Sequence, residues 1–168
     1  MPQFKVDAGR SKLTVSARSS IHDTNTEWTS IKGTVDADAT TLVEAGATAS
    51  FEVDMSDFDA GDWLKNRKLK KDMDVGRHPT ATFNLTELRD VTKKEDGSFE
   101  ATAIGKLDWR GRSVTLTIAG KGSIDDDGVD ASGTFELDIR DLGMKPPKVL
   151  MFKVEPVVAV EVTLRAVK

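Results

Sequence analysis

The chain has no cysteine and no tyrosine, and only two histidines, His22 and His78, among its 168 residues. The first absence excludes disulfides, thiolate metal sites and cysteine nucleophiles. The second removes the phenol as an acid or base. No run approaches the roughly 20 apolar residues that a membrane-spanning helix needs. The opening MPQFKVDAGRSKLTV has no apolar h-region and no small-residue cleavage site. The expected compartment is the cytoplasm, or the periplasm or exterior if a leader was trimmed. A net charge of −4 gives no global reason to expect nucleic acid or an anionic membrane as partner. With 38% hydrophobic and 31% charged residues, the composition is that of an ordinary globular protein. The length suits one domain, 1–168, with a sizeable core.

Motifs for chemistry are equally scarce. No GxSxG, GxxxxGK[ST] or GxGxxG occurs. Ser20, His22 and Asp23 resemble pieces of a nucleophile triad, but neighbours this close along a strand or turn do not point at one another. The two histidines lack the helical spacing of a metal pair. Asp125-Asp126-Asp127 lacks the alternating ligands and distal Glu of a calcium loop and reads as a solvated turn. No catalytic residue, no metal ligand and no cofactor is assigned.

What the chain does have is period-two alternation. Leu13, Val15 and Ala17 share a face. So do Ala49, Phe51, Val53 and Met55; Val114, Leu116 and Ile118; Phe135, Leu137 and Ile139; and Val158, Val160, Val162 and Leu164. Each pattern is a strand with one buried and one wet face. Asp96-Gly97, Arg110-Gly111 and Asp127-Gly128 punctuate them as hairpin turns. The strands expected are 12–18, 27–36, 47–55, 80–88, 98–107, 112–119, 129–139 and 155–167, with 3–7 as a short lead-in. The fold class is all-β: one closed eight-stranded antiparallel barrel, whose closure removes exposed edges. Such a barrel is filled by side chains or holds one small ligand.

Two segments interrupt the strands. Residues 59–76 read as a short helix, capped by Asp59 or Asp62 and stopped by Gly76. Leu64, Leu69 and Met73 are expected to face the barrel. The basic run Lys65, Arg67, Lys68, Lys70 and Lys71 is expected to face water, although it also suits phosphate headgroups or an acidic membrane surface. Residues 142–155 read as an irregular loop rich in Met144, Leu150, Met151 and Phe152, expected to pack at the barrel mouth.

Three regions resemble the YceI-like family of polyisoprenoid-binding, lipocalin-like barrels. They are FKVDAGRSKLTVSAR, with Phe4, Val6, Asp7, Ser11, Leu13 and Val15; LKNRKLKKDMDVGRHPTATF, with Leu69, Met73, Pro79, Thr80 and Phe83; and IGKLDWRGRSVTLTI with ASGTFELDIRDLGM, through Gly105, Leu107, Gly111, Phe135, Asp141 and Gly143. The resemblance implies an extended barrel with an isoprenoid chain or prenyl quinone in an apolar tunnel, and a helix near its opening.

The expected function is non-enzymatic binding, transport or storage of a long apolar lipid. Trp28, Phe51, Leu64, Leu69, Met73, Trp109, Met144, Leu150 and Phe152 are the expected lining or gating residues. Arg18, His22 and Arg67 are candidates for a polar headgroup. The expected partner is an apolar small-molecule lipid, with a homodimer left open. The alternatives are a lipid-acting isomerase or cyclase using a histidine or carboxylate, and a filled barrel acting as a stress-related interaction protein. A cavity well below ~300 Å³ would favour the last.

Overall fold

The protein is described from a computed structural model covering residues 2–18, 24–144, 148–149, 152–153 and 155–168, with the side chains of 148–149 and 152–153 outside that description. In chain order the strands are β1 (Gln3–Val6), β2 (Lys12–Ala17), β3 (Thr24–Trp28), β4 (Ile31–Asp36), β5 (Thr48–Asp54), β6 (Phe58–Asp59), β7 (Thr80–Lys93), β8 (Phe99–Trp109), β9 (Arg112–Ile124), β10 (Gly128–Asp138), β11 (Lys148–Val149), β12 (Phe152–Lys153) and β13 (Val157–Val167). Helix α1 is Leu42–Ala45 and α2 is Trp63–Met73.

The strands β1-β4-β5-β7-β8-β9-β10-β13 form an antiparallel ring that closes through β13 and β1. The expected eight-stranded barrel is therefore present. Three of its staves are each broken in two. β1 continues as β2, β3 as β4 and β5 as β6, and the second set of halves pairs in the order β13-β2-β3-β6.

The break between β1 and β2 corrects one expectation. Residues 3–7 are no lead-in, because β1 completes the ring between β13 and β4. One edge of β13 serves β1 at Ala166 and Val167 and β2 from Ala159 to Thr163. Between them the ladder would lose its hydrogen bonds at Arg165. The chain repairs this locally. The Asp7 N–H donates to the Arg165 carbonyl at 2.7 Å, and the Arg165 N–H donates to the Ser11 hydroxyl at 3.0 Å. Ser11 itself is 5% exposed. The Asp7 carboxylate caps the intervening 3₁₀ turn by accepting from the Gly9 N–H at 3.0 Å. Arg10, bonded to it, holds that carboxyl below its ordinary range.

Helix α2 is shorter than the 59–76 expected. Asp62 caps it, accepting from the Lys65 N–H at 2.8 Å. It ends at Asp74, not Gly76. Asp74 takes the left-handed conformation at φ 54°, and its N–H returns to the last turn. A short polar residue tolerates that region, so glycine is not required. The αL stop buries Val75 against the core. The sequence pattern missed the four-residue α1, whose Leu42 closes the opposite end with Ala37 and Phe99.

β9 runs to Ile124, not to residue 119, and β7 to Lys93, not to 88. In β9 the inward positions after Ile118 are Gly120 and Gly122, so the apolar alternation fades while the ladder continues. In β7 a register shift between Leu85 and Glu87 resets which residues face inward. The loop expected at 142–155 contains the end of a 3₁₀ turn, Ile139–Leu142, and the small β11–β12 pair.

Ser11→Ala leaves the Arg165 N–H without its acceptor at the ring seam. Urea unfolding is expected to show a loss of about 1–3 kcal/mol. An unchanged midpoint would contradict this role for Ser11.

Candidate functional site

The inward faces of the staves enclose a cavity of about 950 Å³ along the barrel. Its wall is built by parity. Leu13 and Val15 of β2, Phe51 and Val53 of β5, Leu116 and Ile118 of β9, Phe135 and Leu137 of β10 and Val158, Val160, Val162 and Leu164 of β13 line it. The same alternation that buries these side chains directs them to the lumen.

Small residues on inward positions keep the lumen open. Ala101 of β8 pairs with Gly120 of β9, and Gly120 pairs with Gly133 of β10. These three adjacent residues leave a section of wall almost without side chains. The largest rings in the mid-barrel lie over a glycine. A Cβ at Gly33 would fall 2.8 Å from Cδ1 of Phe51, and one at Gly105 would fall 2.2 Å from Cζ of Phe83. The two rings stack with centroids 6.3 Å apart and planes 16° apart. Glycine thus lets each phenylalanine lie over a neighbouring backbone. Gly133 receives a side chain from β9 in the same way, since its Cβ would lie 2.6 Å from Cγ2 of Ile118.

The α2 end is capped by a dense apolar group of Trp28, Met55, Met73, Trp109, Leu142 and Met144. Both tryptophans satisfy their indole N–H on connecting backbone. Trp28 donates to the Met55 carbonyl at 3.3 Å and Trp109 to the His78 carbonyl at 2.9 Å. Arg110, in the β8–β9 turn with φ 57°, donates to the carbonyls of Met73 and Leu142. Its cation sits at the negative end of α2, which favours it further. One arginine thereby holds the helix end and the 3₁₀ turn together over the barrel.

The polar part of the mouth comes from α2. Asp62, Lys65, Lys68 and Asp72 line the cavity with Leu64, Leu69 and Met73. Lys68 Nζ lies 3.4 Å from Asp72 Oδ2 as an ion pair, although no donor is aligned for a hydrogen bond with that oxygen. Leu64 lines the cavity while 63% exposed, which puts it on the rim. Lys121 and Asp130 border the other end, but on strand positions whose neighbours Gly122 and Val129 face inward. Asp130 instead pairs with Arg165 at 2.9 Å.

Seven of the anticipated lining residues border the cavity: Trp28, Phe51, Leu64, Leu69, Met73, Trp109 and Met144. His22 and Leu150 lie outside the described residues, as does the side chain of Phe152. Arg18 and Arg67 are exposed and do not line the cavity. Arg67 falls on the outer face of α2, whereas Lys65 and Lys68, expected in water, share the arc of Leu69 and Asp72. Ala101, Gly120 and Gly133 were not anticipated. Their signal is glycine or alanine at inward parity, which reads as weak strand until the register is known. Among the described residues no three His, Asp or Glu side chains converge on a metal position.

A family model of the YceI-like domain matches residues 4–166. A search of curated proteins finds no match. Among solved structures, Burkholderia cenocepacia BcnA superposes with a TM-score of 0.77 at 20% identity, covering 95% of this chain and 98% of that one. A polyisoprenoid-binding domain from Saccharophagus degradans, implicated in plant cell wall breakdown, gives 0.76 at 11% identity, covering 98% and 97%. The Campylobacter jejuni YceI protein gives 0.67 at 12% identity, covering 85% and 84%. At these identities the likeness is one of fold.

The packing of Ile118 on Gly133 is testable by a double-mutant cycle. Gly133→Ala is expected to cost about 1–3 kcal/mol in the native background, as overpacking does. In an Ile118→Ala background the same change should cost close to nothing. Equal costs in both backgrounds would show that the two residues are not coupled.

Proposed function

The chain belongs to the YceI-like family, and we propose that its barrel binds a long apolar lipid, a polyisoprenoid or prenyl quinone, lengthwise in the lumen. The role is transport or storage, without chemistry on the ligand. The observation that carries this reading is an apolar cavity of about 950 Å³ held open by inward glycines and alanines. A water-filled lumen of that size would confine on the order of thirty waters against walls that offer few hydrogen bonds. An alkyl chain recovers ~0.8 kcal/mol for each CH₂ it buries. The mixed charges of Asp62, Lys65, Lys68 and Asp72 at the rim suit a polar headgroup left at the mouth. The Saccharophagus relative, described as a polyisoprenoid-binding domain, supports the same ligand class.

The alternatives are less well supported. A filled barrel is disfavoured by a cavity about three times the ~300 Å³ lower bound of ligand sites. For an isomerase or cyclase, the described histidine His78 does not border the cavity.

The test uses Gly120. A Cβ there meets only the carbonyls of Ala101 at 3.5 Å and Ser132 at 3.7 Å, which are ordinary contacts. Gly120→Phe therefore fits the wall and projects its ring into the lumen. Native protein purified from its host should release a prenyl lipid into organic solvent, identified by mass spectrometry, and should take up added prenyl quinone. Gly120→Phe should fold and lose uptake by on the order of tenfold or more, since two displaced CH₂ groups already account for about 1.6 kcal/mol. Absence of any lipid together with no uptake by the native protein would overturn the proposal.

A further inference from the structure

The lumen leaves the outer face of α2 unexplained. Four large hydrophobic residues are exposed among the described residues: Val43, Trp63, Leu64 and Val157. Trp63 and Leu64 are consecutive, 72% and 63% exposed, and Leu64 stands on the cavity rim. Single exposed apolar residues are ordinary, but an adjacent pair beside an apolar opening marks a contact site. Beyond Trp63 the same exposed face carries Arg67, Lys70 and Lys71. They recur at helical spacing, so the face presents one aromatic end and a basic length.

The charges of this helix are unevenly committed. From Asp62 to Asp74 there are five basic residues against three acidic ones, in a chain of net charge −4. Each carboxylate is engaged close by. Asp62 caps the helix, Asp72 pairs with Lys68 at 3.4 Å and Asp74 lies 3.9 Å from Arg77. Lys65, Arg67, Lys70 and Lys71 form no ion pair with any described residue.

We propose that this face of α2 docks the protein, mouth down, on an anionic phospholipid bilayer. Trp63 and Leu64 enter the interfacial zone, where tryptophan's amphipathic ring is favoured. Arg67, Lys70 and Lys71 lie against the headgroups, which attract basic side chains over about a Debye length. Among the described residues no helix is long and apolar enough to cross a membrane, so this contact is peripheral, and its shallow apolar anchor makes it reversible. Docking stands on the outside of α2, whatever occupies the lumen, so it fails or succeeds independently of lipid uptake.

The test is co-sedimentation of the full chain with phosphatidylcholine vesicles, with and without phosphatidylglycerol, at low ionic strength. Trp28 and Trp109 are 4% and 6% exposed, so quenching by brominated acyl chains reports mainly Trp63. Binding to the phosphatidylglycerol vesicles is expected, with quenching, a blue shift and release by salt. Lys70→Ala with Lys71→Ala should weaken partitioning by about 25-fold, roughly fivefold for each charge. Trp63→Ala should weaken it too and abolish the quenching. These three residues lie off the cavity wall, so quinone uptake should be unchanged. Three outcomes would each overturn the proposal. One is absence of binding to the anionic vesicles by the native protein, which needs no variant to interpret. Another is equal binding to neutral vesicles. The third is native-like binding by both variants, which would leave the exposed helix to a protein partner or to solvent.

Discussion

The barrel closes through one edge of β13, and that edge must serve two strands that do not meet. β1 reaches it at one end and β2 at the other, with a 3₁₀ turn between them. A continuous first strand would need no repair, but it would not let β1 pair with β4 while β2 turns to β3. The break at Asp7–Ser11 allows both, and it leaves Arg165 opposite a gap. The Asp7 N–H and the Ser11 hydroxyl fill that gap, and without them the part-buried carbonyl and N–H of Arg165 would lack partners. Closure holds the inward faces of eight staves around one axis, and the lumen exists only because they stay there.

Within the closed ring, side-chain size decides what the interior can do. Large apolar residues close the two ends, around Trp28, Met73 and Trp109 at one and around Phe4, Leu42 and Phe99 at the other. Between them Ala101, Gly120 and Gly133 hold back, while Phe51 and Phe83 lie over glycine backbone. The interior therefore has caps and an open middle, unlike an evenly packed core. Arg110 contributes by tying the end of α2 to the 3₁₀ turn, which keeps the helical cap in register with the mouth.

Much of this architecture is legible in the sequence. The alternation of Phe51 with Val53, or of Val158 with Val160, carries its own inward direction, and the strand count with hairpin turns implies closure. What was not legible follows from the same physics. Glycine at an inward position both widens the lumen and erases the hydrophobic beat, so the apolar alternation of β9 stops before Gly120 while the strand runs to Ile124. Kinks that keep pairing intact, such as the one at Ser11, look like loop. On α2 the apolar spacing identified Leu69 and Met73 as facing the barrel. The basic run could not be divided between rim and solvent until the helix had a rotation. That rotation turned Lys65 and Lys68 to the cavity and Arg67 away from it.

The claim on which the account rests is that the middle of the barrel is a tube for one apolar chain. A crystal structure of the protein loaded with a prenyl quinone measures this directly. Continuous tubular density is predicted from the Asp62 and Lys68 rim, past the Phe51 and Phe83 rings, to the bare wall at Ala101 and Gly120. Density confined to the outside of the barrel, with Phe51, Phe83 and Ile118 turned inward to fill the lumen, would contradict it.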